Sequence, residues 1–217
     1  MSTDEATDSP AAPEPKRPWF EPATAILMGV ASLSTAWCSY QNSRWSGQST
    51  DLGTNADKLE RQATAQFLEA QLIESVQVRM FMEAIDAQMQ GNDKLARFYT
   101  DRFAGELKPA YAKWLALKPF ENPAAPPHPF TPDLYVPRFQ QEIRDAQAAA
   151  ARDAAQSSAS GQTAGSYLSN TVLLATVLFF SGTAGKFEQR HVRWGSLAFA
   201  IAVLLYAAVR MLMLPVA

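Results

Sequence analysis

Apolar residues are concentrated in three long runs, at residues 22–43, 167–185 and 194–214. The first run contains no charged residue between Glu21 and Arg44. A helix that crosses a membrane needs about 20 mostly apolar residues to span a hydrocarbon core of about 30 Å. The pattern therefore predicts three transmembrane helices, one near the N-terminus and two close together near the C-terminus.

The first run is less apolar than the other two because several serines and threonines interrupt it. Such residues are tolerated in a span, since their hydroxyls bond to the backbone one turn back or to a neighbouring helix. Two alternatives are a buried helix of a soluble protein and a cleaved signal peptide. The preceding tail is long, acidic and rich in proline, which is not typical of a signal peptide. We therefore interpret the run as an uncleaved anchor.

Between the first two runs, the apolar spacing predicts a long helix. Its apolar residues recur mostly at steps of four, at positions 59, 63, 68, 72, 76, 80, 85 and 89. That spacing places them on one face of a helix, and we expect this face to be buried. Gly91 is the predicted end of the helix.

A second helix is predicted to follow directly, with Asn92 or Asp93 as its N-cap. Its apolar residues form a broad face over residues 93–117. Pro109 lies inside that range and removes one backbone hydrogen bond, so we expect a kink there. The two helices should form a hairpin with its tip at residues 91–93.

Seven of the fourteen prolines lie between positions 119 and 137, a density that excludes a regular helix or strand. One interpretation is an ordered strap whose aromatic residues, including Phe120 and Phe130, cover the end of the helical hairpin. The other is an extended segment with P-x-x-P spacing that docks onto a partner. The regular recurrence of aromatic residues favours the strap.

A third helix is predicted over residues 138–156, because alanine-rich sequence strongly favours helix. The segment "SSASGQTAGS", residues 157–166, then leads to the second apolar run. It is either a frayed continuation of that helix or a loose linker.

These elements predict an all-α protein, with three transmembrane helices and an extramembrane helical hairpin or bundle between spans one and two. That domain comprises residues 44–166. The tail, residues 1–21, is predicted to be disordered because of its proline content. The loop at 186–193, "KFEQRHVR", is basic and, like Lys16 and Arg17, is expected on the cytoplasmic side. The N-terminus is then cytoplasmic and the domain extracytoplasmic.

The composition offers few candidates for catalytic or ligand-binding residues. A net charge of −2 gives no basic patch and argues against a nucleic-acid partner. The single cysteine, Cys38, lies within a span and is expected to behave as a small hydrophobe. His128 and His191 are predicted in loops. No phosphate-binding loop, paired-histidine spacing or G-x-S-x-G is present, so we predict a non-enzymatic protein with no cofactor and no catalytic, cofactor-binding or metal-binding residues.

Small residues four apart in the spans predict close helix packing in lipid. Such pairs are Ala25 with Gly29, Ser32 with Ala36, Ser181 with Gly185, and Ala198 with Ala202. We expect them to line the contacts of a three-span bundle.

The stretch "AWCSYQNSRWSGQ", residues 36–48, marks the end of the first span and is a candidate interface. On a helix one side carries Trp37, Tyr40, Gln41, Arg44, Trp45 and Gln48. We expect this side to face protein, with a polar contact to Ser169 and Asn170 and with Arg44 stacked on Tyr40 or Trp37. Aromatic anchoring at the membrane interface is the alternative. Phe120 and Phe130 complete the candidate interface residues.

The segment W-x-x-x-x-P-F-x-N-P-x-A-P from Trp114, together with the first span and the C-terminal hairpin, resembles a family of uncharacterised bacterial inner-membrane proteins. The resemblance covers residues 22–214. It implies a bacterial cytoplasmic membrane and three spans. It implies no activity, and it assigns no functional residues.

The leading functional hypothesis is a membrane protein whose extracytoplasmic helical domain serves as an interaction or assembly module. Its expected partners are the lipid bilayer and either a second copy of the chain, in a homo-oligomer, or another membrane protein. One alternative is a sensor-like or regulatory subunit, which would need an output domain that the short N-terminal tail does not supply. Another is a small channel or transporter subunit, although no charged residue lies deep in a span.

Overall fold

The computed structural model describes residues 19–187 and 189–217, and within these ranges the regular structure is helical with no strand. There are five helices in this part of the chain: α1 (Phe20–Met89), α2 (Asp93–Thr100), α3 (Leu107–Ala116), α4 (Gln140–Ala184) and α5 (Arg190–Met213). The all-helical class predicted from the sequence is confirmed. Most of the predicted disordered tail, up to position 18, lies outside the described residues. Phe20 and Glu21, the last two residues of that tail, are helical.

The chain divides into two compact units. The first combines the chain up to Ser49 with Ala159–Ala217, and so contains the start of α1, the end of α4 and all of α5. The second is Thr50–Ser158. Each unit has a hydrophobic core of its own.

The core of the first unit is built by three helices. One cluster of buried residues comprises Phe20, Leu27, Ala31, Val177, Ala184, Leu197 and Ala200. A second comprises Cys38, Tyr167, Leu174 and Ala207. Each cluster takes residues from α1, α4 and α5, so the three helices form a bundle.

The outward surface of this bundle is apolar. More than half of the side-chain surface is exposed at Ile26, Leu33, Leu168, Val172, Phe179, Leu205 and Leu212. The hydroxyls of Thr35, Thr176 and Thr183 donate to backbone carbonyls one turn back. Two helices, α4 and α5, are long and apolar enough to cross a membrane by length and composition; α1, the third predicted span, does not meet that criterion.

The buried face of α1 in the second unit is lined by small residues at seven-residue intervals. Ala56, Ala63, Ala70 and Ala84 are buried, with Gln77 at the remaining position of the series. Here α1 lies close to α4, because a Cβ placed on Gly53 would lie 3.2 Å from the Ser157 Oγ. Helices packed this closely leave room only for small side chains between them.

The face that the sequence analysis expected to be buried is therefore partly wrong. Leu68, Leu72, Val76 and Met89 from that stripe are more than half exposed. Large apolar residues predict a buried face, because size and hydropathy usually indicate burial. Close packing against α4 instead selects alanine for the buried face and leaves the leucines outward.

The turn between α1 and α2 lies at the residues predicted from the sequence. Gly91 adopts a left-handed φ of 73°, and the Asn92 amide donates to the Ala87 carbonyl at 2.9 Å. The Asn92 side chain in turn accepts from the Leu95 amide at 3.1 Å, which makes Asn92 the N-cap of α2. Glycine at the helix end and asparagine at the next start satisfy backbone groups that would otherwise lack partners.

The single second helix predicted over residues 93–117 is wrong, because the chain forms α2 and α3 with a break between them. The break contains Gly105 in a left-handed conformation, with φ 56°. Pro109 does not kink a helix, since it lies in the first turn of α3, where its missing N–H has no helical partner to lose.

The segment at 157–166, left open between a frayed helix and a loose linker, is helical and belongs to α4. The α5 helix begins at Arg190, so it includes the last four residues of the predicted 186–193 loop. His191 therefore lies in the first turn of a helix, and its prediction as a loop residue is wrong. His128 lies in the proline-rich segment, outside any helix.

Candidate interaction surfaces

An aromatic cluster joins α1, α3 and the proline-rich segment in the second unit. The Phe81 ring meets the rings of Trp114 at 5.4 Å and Phe130 at 5.7 Å, both edge-on. Leu107 and Phe103 are buried beside them. Edge-to-face aromatic pairs contribute about 0.5–1.5 kcal/mol each beyond the area they bury.

The proline-rich segment is also held by hydrogen bonds. The Trp114 Nε1 donates to the Pro126 carbonyl at 2.7 Å. The Tyr135 hydroxyl donates to the Gln77 Oε1 at 2.9 Å. These contacts and the packing of Phe130 place the segment against the aromatic cluster, with Tyr135 almost fully buried.

Gln77 lies at the centre of a polar network. Its Nε2 donates to the Glu106 Oε2 at 3.3 Å and to the Ala104 carbonyl at 3.5 Å. Arg138 Nε lies 3.2 Å from the Glu106 Oε1 in an ion pair. The network thus connects α1, the start of α3 and the end of the proline-rich segment.

The network changes the acidity of its members. Burial disfavours the Glu106 carboxylate, but hydrogen bonds from its own backbone and from Gln77, together with the charge of Arg138, hold its pKa below the usual value. Burial, and then the charges of Glu74 and Glu106, raise the pKa of Tyr135 to about 12. At neutral pH the tyrosine is therefore a hydrogen-bond donor and the carboxylate an acceptor.

A groove of about 480 Å³ lies between α1 and the proline-rich segment. Its walls include Phe81, Met82, Ile85, Trp114, Phe120 and His128. Phe120 is more than half exposed, although its ring lies 5.7 Å from that of Trp114. The structure thus brings two predicted interface residues, Phe120 and Phe130, to the same aromatic cluster.

The other predicted interface residues belong to the first unit, where they divide between two faces of α1. Gln41 is fully buried, whereas Trp37 and Tyr40 are exposed with their rings 6.0 Å apart. Trp45 is half-buried and Arg44 is exposed. In the described ranges the cation–π pairs are Arg102 with Phe98, Arg138 with Phe139 and Arg193 with Phe20, and none involves Arg44.

The polar partners of this stretch also differ from those expected. The Gln41 Oε1 accepts from the Ala217 amide at 3.0 Å, and the Trp45 Nε1 donates to the Pro215 carbonyl at 3.2 Å. Tyr167 donates to the same carbonyl at 3.1 Å, while Asn170 donates to the Ala207 carbonyl at 3.0 Å. The segment after α5, rather than the start of the second predicted span, therefore provides the hydrogen-bond partners of Gln41 and Trp45.

Polar atoms are buried in the core of this bundle. The Gln41 Nε2, the Asn170 Oδ1 and the Ser181 Oγ have no hydrogen-bond partner among the residues that the structure describes. The Cys38 Sγ lies 3.8 Å from the Met211 Sδ. No group of three or more histidine, cysteine or acidic side chains in the described ranges is arranged to hold a metal ion.

Most of the small-residue pairs expected to line the bundle face outward instead. Ala25, Gly29, Ser32, Ala36, Ala198 and Ala202 are exposed, and of the predicted set only Ser181 is buried. A Cβ on Gly29 would meet no atom within 4 Å. Other small residues of this unit are buried, among them Ala31, Ala184, Ala200 and Ala207.

The outward face of α1 in the second unit carries several exposed apolar residues. Leu68, Leu72 and Val76 follow each other at steps of four, with exposed fractions of 58%, 66% and 52%. Met82 continues the face at 61%. The apolar spacing of these residues predicts that they are buried. The alanines at seven-residue intervals on the other side of α1 are the signal that this other side is the buried one.

A comparison of the chain with protein-family models, with curated proteins and with solved structures finds no match.

Proposed function

We propose that this protein is a three-span membrane protein whose domain at residues 44–166 serves as a non-enzymatic interaction or assembly module. The observation that carries the proposal is the outward face of α1 around Leu68 and Leu72. Leucine, valine and methionine at 52–66% exposure on one helical face indicate a surface that another protein covers.

The bundle of the first unit supports the membrane part of the proposal. Its outward residues are apolar on all three helices, and the hydroxyls of Thr35 and Thr176 bond to the backbone of their own helix. An apolar outer surface and hydroxyls bonded within their own helix are typical of a helical bundle surrounded by lipid. The start of α1 is less apolar than α4 and α5, but it contributes buried residues to both hydrophobic clusters of this bundle.

The orientation rests on the distribution of basic residues. Lys186 lies in the short connection between α4 and α5, and Arg190 and Arg193 lie in the first turn of α5. Basic residues in short loops and at the adjoining ends of spans stay in the cytoplasm. The domain at 44–166 is then on the outer side of a bacterial cytoplasmic membrane, in agreement with the family that the sequence resembles.

The experiment that tests the proposed function places a photoreactive benzoylphenylalanine at Leu72 in the full-length protein, in cells. Irradiation should produce a covalent adduct with a protein. The matched control is the same residue at Gln88, which is exposed and lies about 160° around α1 from Leu72, and which should give little adduct. If Leu72 yields no protein adduct, the exposed face is not an interaction surface and the proposal fails.

A further inference from the structure

The end of the first unit's bundle at which α5 begins is positively charged. Over residues 16–21 and 186–193, five lysines and arginines outnumber two acidic residues, Glu21 and Glu188. None of the ion pairs between described residues lies in the first unit. The described residues therefore leave this positive charge without an acidic partner, and it suits an anion from outside the chain.

One of these cations has a fixed position. The Arg193 guanidinium lies over the Phe20 ring, with its Cζ 3.8 Å from the ring centroid. The Trp194 ring meets the same phenylalanine edge-on at 6.0 Å, and Phe20 is buried in a hydrophobic cluster that all three helices share. Stacking uses the face of the guanidinium and leaves the N–H groups at its edge for an acceptor. Arg193 thus presents a positioned set of donors at the rim of the bundle.

Further donors lie beside Arg193. Arg190 is exposed and precedes Arg193 by three residues, so the two arginines lie on one side of the first turn of α5. The first N–H groups of a helix have no acceptor within the helix and attract anions. Gln189, the N-cap of α5, makes no capping hydrogen bond with its side chain. Two guanidinium groups and the N-terminus of α5 are therefore together at this rim.

An apolar surface adjoins the basic rim. Trp194, Phe199 and Ile26 are exposed on the outside of the bundle, on α5 and α1. Tryptophan is enriched at the depth of lipid headgroups, with apolar residues further into the membrane. A ligand with an anionic head and apolar chains matches both parts of this surface, whereas a soluble anion matches only the rim.

We propose that this rim binds an anionic phospholipid, with the headgroup phosphate on Arg190 and Arg193 and the acyl chains along the apolar side of the bundle. Arginine binds phosphate oxygens through parallel N–H···O contacts, and basic residues at the ends of spans attract anionic lipids. The inference rests on the proposed function, because only a bundle within a bilayer presents its rim to headgroups. Since Arg193 also stacks on Phe20, the bound lipid contacts the place where α1 and α5 begin.

The test follows Trp194 fluorescence in the full-length protein, reconstituted into vesicles of phosphatidylcholine with a minority of phosphatidylglycerol. Bromine atoms near the carbonyl end of an acyl chain quench tryptophans that contact that lipid. Subtraction of the signal of Trp194→Phe separates Trp194 from the other four tryptophans. Brominated phosphatidylglycerol should quench Trp194 more strongly than the same fraction of brominated phosphatidylcholine.

Variants of the two arginines locate the site. Arg190→Gln and Arg193→Gln should each lower the preference for phosphatidylglycerol by about fivefold, which corresponds to about 1 kcal/mol for one basic residue near an anionic surface. Arg193→Lys keeps the charge but loses the planar fork, and should lower the preference less than Arg193→Gln does. The matched control is Arg210→Gln, which removes one charge from the other end of α5. Arg210 is partly exposed, as Arg193 is, and its loss should leave the preference at Trp194 unchanged.

Equal quenching by the two brominated lipids, or an equal loss of preference in Arg210→Gln, overturns the lipid site. Glycerol phosphate carries the same phosphate ester without acyl chains. If an excess of it abolishes the preference, the rim binds a soluble phosphate ester, and the lipid is wrong as its ligand. Flotation of the vesicles in a density gradient separates this proposal from the membrane location. Protein that does not float with the vesicles overturns both, whereas protein that floats but shows no preference overturns only the lipid site.

Discussion

At the scale of single residues, Gln77 shows how one polar side chain positions the proline-rich segment. It occupies a place in the series of Ala56, Ala63, Ala70 and Ala84, where the other members are small and apolar. Its amide is almost fully buried and bonds to Tyr135, Glu106 and Ala104. Burial of an amide is unfavourable unless its hydrogen bonds are made, so these partners are needed for the glutamine to lie there.

Replacement of Gln77 tests whether its hydrogen bonds stabilise the protein. Gln77→Leu keeps the volume but leaves the Tyr135 hydroxyl buried without an acceptor, which costs about 1–3 kcal/mol. We expect a lower thermal midpoint for the full-length protein in detergent, followed by near-ultraviolet circular dichroism. Gln88→Leu, at an exposed position of the same helix, should change the midpoint little.

A double variant shows whether loss of the hydrogen bond between Tyr135 and Gln77 causes the lower stability. Adding Tyr135→Phe removes the unsatisfied hydroxyl, so Gln77→Leu with Tyr135→Phe should lose less stability than the two single variants added together. Additive losses would mean that the two side chains act independently and that the network does not hold the segment.

At the scale of helices, local chemistry predicts the ends of elements better than their faces. Gly91 and Asn92 identify the hairpin tip from sequence alone, because a left-handed glycine and an N-cap act on neighbouring backbone groups. The buried face of α1 depends on α4, which lies far away in sequence and accepts only small residues. The sequence does not predict the break before α3, because Pro109 inside an apolar periodic run indicates a kink in one helix, whereas proline is also well suited to the first turn of a new helix.

The break depends on Gly105. Its left-handed φ of 56° is unfavourable for residues with a Cβ, so Gly105→Ala should lower stability by about 1–2 kcal/mol. Gly105→Asn should cost less, since asparagine tolerates this conformation better. The measurement is the thermal midpoint of the full-length protein in detergent.

Gly47→Ala is the matched control for this effect. Gly47 lies within α1, and a Cβ there would meet no atom within 4 Å. Alanine should stabilise the helix at that position by about 0.5–1 kcal/mol relative to glycine. A similar loss of stability in both alanine variants would show that the left-handed conformation of Gly105 does not cause the loss.

At the scale of the whole molecule, the assignment of three spans depends on packing as well as on hydropathy. Within residues 19–187 and 189–217, α4 and α5 are the helices apolar enough to cross a membrane by length and composition, and the sequence of the first run leaves a soluble helix as an alternative. The core of the first unit is shared by all three helices. The inward face of α1 packs on two helices that are apolar enough to cross a membrane, and its outward face carries Ile26, Val30 and Leu33. This arrangement favours our proposal that α1 is the third span.

The resulting topology predicts a difference in accessibility between two exposed positions. In a Cys38→Ser background, Ser158→Cys lies in the domain proposed to be outside, and Gln189→Cys lies in the basic connection proposed to be inside. A maleimide that does not cross membranes should label Ser158→Cys in intact cells and should label Gln189→Cys only after the cells are opened. Labelling of both variants in opened cells controls for local accessibility. If Gln189→Cys reacts in intact cells and Ser158→Cys does not, the orientation is inverted, and the exposed face of α1 belongs to a cytoplasmic domain with cytoplasmic partners.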